Sequence, residues 1–498
     1  MSFLPSIRKQ VVIQNTFYNI VAYGCKMALG LFLTPYIIRS LGIERFGIWA
    51  VAAIITGYLG LFDFGIGLSF TKYLSEFYAK SQLEKMSEII STGFLLYFLF
   101  TGLITLLFLL FKEPLLSFFT ITPSLHSEAL ITFFISIFVF GIAACLNAFG
   151  IIPVAMQRFD IVNIVSVAFS FLNAGCIIFI LKHGYGLVGL AASTALVVVM
   201  RQGVDIGIAY ILIPGLRFRP LSFNWEIFLK LFRFGFSMQI AKVSGWISTQ
   251  VDKVLIGAFL SLGMVTYYEL GSTIVNYALG ISALFVSALL PAFSHIRSRE
   301  SHEQLIGAYL TALRYGICLI LPLFIFIAIS GSFIMKAWMG NLYGWVGNLV
   351  TILCLAFLVN AIAQIPASMC MAIDRPDFLS VGSFIIITLN IGLSFLFVKI
   401  FGFWGVAWGT AIAVNVGTLY FLFMLHKDIA IGFPRFLKIL TPFTAASVMA
   451  LAAVFLFELF VPATSLPLFY GLLIRGVIFF GFYTLIIWKQ KMLHRENG

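Results

Sequence analysis

Charge is what this sequence has least of: only 10% of its 498 residues are Asp, Glu, Lys or Arg, while 61% are hydrophobic and the mean hydropathy is +1.07. A surface facing water needs far more charge, which excludes a soluble globular protein. Strict alternation of apolar and polar residues is also lacking. The apolar runs continue for twenty or more residues, which excludes a β-barrel and leaves membrane-spanning helices. Cysteine is scarce, and Cys25, Cys145, Cys176, Cys318, Cys354 and Cys370 all fall inside apolar segments without pairing or metal-ligand spacing. They read as small core residues rather than as a disulfide framework. The six histidines, His126, His183, His295, His302, His426 and His494, are scattered over loops and helix ends and offer no metal cluster. Long loops are missing too: the largest connections, around residues 71–87, 112–129, 214–233 and 293–305, hold about twenty residues or fewer, too little for a catalytic domain. No enzyme activity, cofactor or metal is therefore expected, and the membrane part must do the work. A short basic leader, Met1 to Gln10, runs straight into an apolar span without a small-residue cleavage site, so no cleavable signal is expected.

What is present is a succession of about 14 apolar spans, an all-α polytopic membrane protein. They cover approximately 14–38, 46–70, 88–111, 130–152, 160–181, 186–213, 234–258, 264–292, 306–331, 346–372, 378–400, 403–425, 438–461 and 467–488. An even number puts both termini on one side. Twenty of the 31 basic residues then fall on that side and six on the other, so the positive-inside rule predicts cytoplasmic termini. The formal net charge of +12 reports this topology and an affinity for anionic headgroups rather than nucleic-acid binding.

The chain also repeats itself. Gly186, Gly189, Ala191, Thr194 and Ala195 recur as Gly402, Gly405, Ala407, Thr410 and Ala411, a shared GxxGxAxxTA. Upstream, Arg158 and Asp160 match Arg375 and Asp377, Asn173 matches Asn390, and Lys182 matches Lys399. Close helix packing accounts for the small residues but not for Arg, Asp, Asn and Lys kept in register. A displacement of six helices implies two parallel repeats related by an axis along the membrane normal. The expected organisation is an N-lobe over 1–214, a C-lobe over 215–430 and a C-terminal helical hairpin over 431–498. In parallel-repeat carriers the substrate lies between the lobes and transport is rocking of one against the other.

Ionisable groups at membrane depth are costly, so each is a candidate functional residue. Lys242 and Lys253 sit eleven residues apart in the seventh span and share one helix face with Trp246, a stripe about 16 Å long at ~1.5 Å per residue. The first span presents Asn15, Asn19 and Lys26 on one face, and the eighth Glu269, Ser272 and Asn276. Lys26, Lys242 and Lys253, with Asn19, Trp246 and Asn276, are the candidate anion-binding set. Asp63, Asp252, Glu269, Arg201 and Asp205 are candidates for ion coupling or for structural charge. Each has a plainer alternative. The two lysines of the seventh span can snorkel to opposite interfaces, Lys253 can pair with Glu269 across the hairpin, and Arg201 with Asp205 along one helix. The polar faces Asn360 with Gln364, and Ser383 with Asn390 and Ser394, can be helix-to-helix glue.

The stretch TPYIIRSLGIERFG from Thr34 to Gly47, followed by YLGLFDFGIG from Tyr58 to Gly67, resembles the polysaccharide transport family, the bacterial O-antigen and oligosaccharide flippases. These belong to a superfamily that also holds multidrug extruders and the lipid II flippase. The resemblance implies movement of an undecaprenyl-pyrophosphate-linked oligosaccharide from the cytoplasmic to the periplasmic leaflet of a bacterial inner membrane, by alternating access and driven by an ion gradient, H+ or Na+. It further implies membrane lipids, polysaccharide polymerase and glycosyltransferases as neighbours. A multidrug exporter of the same superfamily, expected to show acidic groups to cationic drugs, and a membrane-embedded glycan polymerase or ligase are the competing readings.

Overall fold

The computed structural model describes residues 4–60, 66–286, 289–299, 301–460 and 467–489; their side chains are described outside 4–16, 236–249, 66, 68, 291, 295, 298, 299, 302, 433 and 434. Among the described residues there is no strand. The first helices are α1 (Leu4–Leu41), α2 (Ile43–Leu59), α3 (Ile66–Ala79), α4 (Leu83–Phe118), α5 (His126–Ala155), α6 (Phe159–Lys182) and α7 (Gly186–Leu212). They are followed by α8 (Trp225–Phe259), α9 (Leu262–Val286), α10 (Leu289–Arg299), α11 (His302–Met339), α12 (Val346–Ala372), α13 (Pro376–Asp428), α14 (Phe433–Phe460) and α15 (Leu468–Lys489). Eleven helices among the described residues are long and apolar enough to cross a membrane, and the chain is an all-α, multi-pass membrane protein.

Backbone chemistry decides where the apolar runs break. The 53 residues of α13 would extend about 80 Å as one rod at ~1.5 Å each, far more than the ~30 Å of a hydrocarbon core. Gly402 interrupts it at φ 58 and ψ −134, a conformation closed to side chains with a Cβ, and separates two arms at the expected boundary between the eleventh and twelfth spans. In α4 the helix kinks at Phe111, where φ is −109 and ψ 16, three residues before Pro114. The second span differs from expectation: α2 ends at Leu59, and a separate α3 occupies part of what reads as a loop. Its reason is a buried stripe of Phe70, Leu74 and Phe77 at helical spacing, opposite the solvated Lys72, Glu76 and Lys80. At the start of α11 the Ser301 hydroxyl accepts from the Gln304 N–H while the Gln304 side chain accepts from the Ser301 N–H, a reciprocal cap.

The chain forms two compact units, one of Met1–Val243 with Gly257–Thr266 and one of Ser244–Ile256 with Tyr267–Gly498. In the first, α5 packs against α4 and α7, and α1 against α6. A cluster of Phe70, Leu74, Met86, Phe149 and Ile152 takes in Ile227 and Leu231 from the start of α8. The segment leading into α8 is strapped to α4: the Ser87, Ser91 and Thr92 hydroxyls accept from the N–H groups of Arg217, Arg219 and Asn224 at 3.0, 3.0 and 3.1 Å. In the second unit α12 lies between α11 and α13, and the terminal helices α14 and α15 pack on α11. Arg475 of α15 pairs with Glu458 of α14 at 2.7 Å and lies 3.9 Å over the Phe333 ring. Its charge is thus held within the hairpin and its docking face. Lipid tails are as apolar as these side chains, so dispersion contacts and such polar ties, rather than exclusion of water, hold the helices together.

Candidate functional site

Asp252 is the most enclosed charge among the described residues, with 1% of its surface exposed. It comes from α8, and three further helical segments converge on it. Its Oδ2 accepts from the Thr410 hydroxyl at 2.5 Å and from the Tyr268 hydroxyl, while its Oδ1 faces the Asn390 amide and the Ser394 hydroxyl, each at 3.4 Å. Asn390 and Ser394 stand one turn apart on the first arm of α13, and Thr410 on the second. The two arms meet closely enough because position 409 is glycine: a Cβ there would lie 2.8 Å from the Ser394 backbone nitrogen and hydroxyl oxygen. Asn390 also donates to the Thr410 hydroxyl at 2.9 Å, and the Thr410 hydroxyl lies 3.2 Å from the Val406 carbonyl.

A buried carboxylate without a cation must either be protonated or hold one, because a bare charge in low dielectric is too costly. The shell around Asp252 supplies hard oxygen donors: its own carboxylate, the Ser394, Thr410 and Tyr268 hydroxyls, the Val406 carbonyl, and Asn390 Oδ1, a buried oxygen with no hydrogen-bond partner among the described residues. Oxygen-only ligands of mixed charge suit a small hard cation or a proton, not a thiophilic or imidazole-seeking metal. Beside the carboxylate is a void of about 10 Å³, room for one water, lined by Asp252, Tyr268, Ser272 and Asn276. Asn276 is exposed, so this polar face of α9 leads from the surface to Asp252.

Lys253, adjacent in sequence, does not neutralise Asp252. Its ammonium pairs with Glu269 and donates to Gln250 Oε1 at 3.1 Å. The lysine side chain is 4% exposed and the glutamate 29%. The hairpin pair weighed as the plain alternative is therefore formed. In the first unit Lys26 is exposed on α1, close enough to Arg201 of α7 for the two charges to interact. Arg201 stands 3.7 Å from Asp205. Asn19 is exposed as well and accepts from the Asn163 amide at 2.8 Å. The side chains of Lys242 and Trp246, and the whole of Asp63, lie outside the described residues.

Tyr268, Asn390, Ser394 and Thr410 are not among the ion-coupling candidates that the sequence offers by depth and charge, although the repeat marks two of them, Asn390 and Thr410. Asn173 and Thr194 are the first-half counterparts of Asn390 and Thr410, yet α1 carries no Asp or Glu to meet them. Asn173 Oδ1 and Thr194 Oγ1 are buried without hydrogen-bond partners among the described residues. The amide and hydroxyl are thus common to both halves, whereas the carboxylate is found in one.

Residues 12–297 match a family model described as polysaccharide biosynthesis protein. A Shigella flexneri protein, named on provisional grounds as an O-antigen transporter, is 22% identical over 410 residues, covering 82% of this chain and 96% of its own. A Haloferax volcanii protein, named with similar reserve as the low-salt glycan biosynthesis flippase Agl15, is 22% identical over 253 residues, 50% of this chain and 53% of its own. Among solved structures, that of the lipid II flippase MurJ in an inward closed conformation superposes with a TM-score of 0.74 at 18% identity, over 96% of this chain and 100% of that one. The last likeness is one of fold.

Proposed function

This chain belongs to the polysaccharide biosynthesis protein family, and on that footing we propose that it flips a polyprenyl-pyrophosphate-linked oligosaccharide from the cytoplasmic to the periplasmic leaflet of a bacterial inner membrane. The observation that carries the mechanism is the Asp252 cage, a carboxylate with four hydrogen-bond donors around it and no paired cation among the described residues. In this reading Asp252 binds a monovalent cation, H+ or Na+, and its loading and release set which side of the protein is open. A ligand can shift such an equilibrium only by binding one state better than the other. The convergence of α8, α9 and both arms of α13 on one carboxylate provides that difference, since a relative shift of any one removes a ligand.

The substrate reading rests on physical need as well as on relatives. A pyrophosphate and its sugars cannot cross hydrocarbon unaided, whereas the polyprenyl tail can remain in lipid, so the carrier has only to hydrate and neutralise the head. Lys26, with Arg201 beside it, and Lys242 are the cations we assign to that head. Asn19, Trp246 and Asn276 supply neutral contacts, and Asp63 remains a candidate for proton transfer. Lysine suits the task as a compact point charge needing no bidentate geometry. The excess of Lys and Arg on the terminal side supports a cytoplasmic position for both termini. The exporter reading is weaker because Asp252, the carboxylate unpaired among the described residues, is enclosed beside a void with room for one water, too small for a cationic drug, and Asp205 and Glu269 are engaged by Arg201 and Lys253.

The test is surface glycan assembly in a strain that depends on this protein. Asp252→Asn keeps the size of the side chain and one of its two accepting oxygens but cannot carry the charge. It is expected to insert normally and to lose glycan export. Unchanged glycan in both Asp252→Asn and Asp252→Ala would remove the coupling role.

A further inference from the structure

A second polar cavity lies in the second unit, between α12 and both arms of α13, and nothing in the ion cage requires it. Its volume is about 210 Å³, space for roughly seven waters at ~30 Å³ each. Asn360 and Gln364 of α12, Ser383 and Thr418 of α13 and the Phe421 ring line it together with small and aliphatic residues; none of the lining residues is ionisable. Asn360 donates to the Thr418 hydroxyl at 3.3 Å. Among the described residues neither the Gln364 amide nor the Ser383 hydroxyl has a hydrogen-bond partner. The cavity stays open because small residues line it while the arms touch beneath it: a Cβ on Gly417 would lie 2.7 Å from the Gly382 carbonyl oxygen.

We infer that this cavity is a subsite for a neutral sugar of the transported glycan, an assignment that rests on the flippase reading. Two carboxamides and two hydroxyls offer donors and acceptors together, which matches sugar hydroxyls, each of which donates one hydrogen bond and accepts others. A phosphate would need cations and a cationic drug a carboxylate, and the lining has neither. Phe421 adds an apolar surface for the C–H face of a pyranose ring. Gln364 and Ser383 lie about two turns from the connection between α12 and α13, the end that the proposed orientation turns to the cytoplasm, where substrate is loaded. A site built around hydroxyl partners rejects a ligand that lacks them, so the cavity favours lipids that already carry sugar over the bare polyprenyl pyrophosphate.

The experiment compares binding of undecaprenyl pyrophosphate with that of undecaprenyl-pyrophosphate-linked neutral hexose disaccharide to the full chain in nanodiscs. The wild type is expected to bind the sugar-bearing lipid about tenfold more tightly, the discrimination a few added hydrogen bonds give. Gln364→Leu combined with Ser383→Ala should abolish the preference while leaving affinity for the bare lipid unchanged. Ala367→Leu, which fills the cavity and removes no polar group, should do the same and serves if the double variant does not fold. Equal affinity for the two lipids in the wild type, or a preference that survives the folded variants, overturns the subsite and shows that water alone fills the cavity. Binding of neither lipid by the wild type overturns the flippase reading and the subsite with it.

Discussion

Removing Glu269 should destabilise the protein more than removing Lys253, although the two form one ion pair. Glu269→Gln leaves an ammonium whose side chain is 4% exposed, with only neutral amide oxygens among the described residues, that of the new glutamine and that of Gln250 at 3.1 Å, to satisfy it. Breaking a buried pair in this way costs about 3–5 kcal/mol, because the stranded charge has no solvent. Lys253→Met leaves a carboxylate that is 29% exposed and can recover hydration, so its cost is nearer ~1–2 kcal/mol after allowance for screening. Lys253→Met combined with Glu269→Gln strands no charge and should recover most of the loss, giving a coupling of about 1–3 kcal/mol in a double-mutant cycle. The assay is unfolding of the purified protein in nanodiscs, followed with all four members of the cycle. Equal losses in the two single variants, or strictly additive losses in the double, would refute the asymmetry and the pair as an energetic unit. The same four proteins also separate structure from transport: a stable double variant that no longer supports surface glycan means that the Lys253 charge serves the substrate head as well as Glu269.

Thr410→Val removes one of the two donors to Asp252 Oδ2 and one oxygen of the cage, so it should shift the cation dependence of export about tenfold, toward weaker binding for Na+, which loses a ligand, and toward tighter binding for H+, because the lost donor stabilises the empty carboxylate. Gly409→Leu forces the arms of α13 apart at Ser394 and should lower the unfolding temperature while reducing export, an overpacking loss of about 1–3 kcal/mol. Lys26→Glu should lower surface glycan with normal insertion, whereas Lys26→Arg should retain it. Gly402→Ala puts a Cβ on a backbone conformation closed to it and should cost about 1–3 kcal/mol by the same unfolding assay, with little effect on the cation dependence.

The helices were legible because continuous apolar runs of bilayer length have few other outcomes, and because Gly402 marks its break in residue type. The stripe of Phe70, Leu74 and Phe77 was equally visible but lay among Lys72, Glu76 and Lys80, so charge density read it as a loop. At the site, Asp252 stood out by its depth, and Lys253 with Glu269 by their equal distance from a short turn. What local pattern could not give was which polar residues would meet Asp252, since Tyr268, Asn390, Ser394 and Thr410 are up to 158 residues away in sequence. The sequence match puts Asn390 and Thr410 in register with Asn173 and Thr194, but matched positions do not say which of the two sets meets a carboxylate.

The most direct measurement is flipping of undecaprenyl-pyrophosphate-linked oligosaccharide in proteoliposomes under an imposed gradient of H+ or Na+, with wild type and Asp252→Asn compared. The wild type should respond to one of the two gradients, and Asp252→Asn to neither at equal protein content. A variant that keeps the full gradient response would place cation coupling somewhere other than this carboxylate.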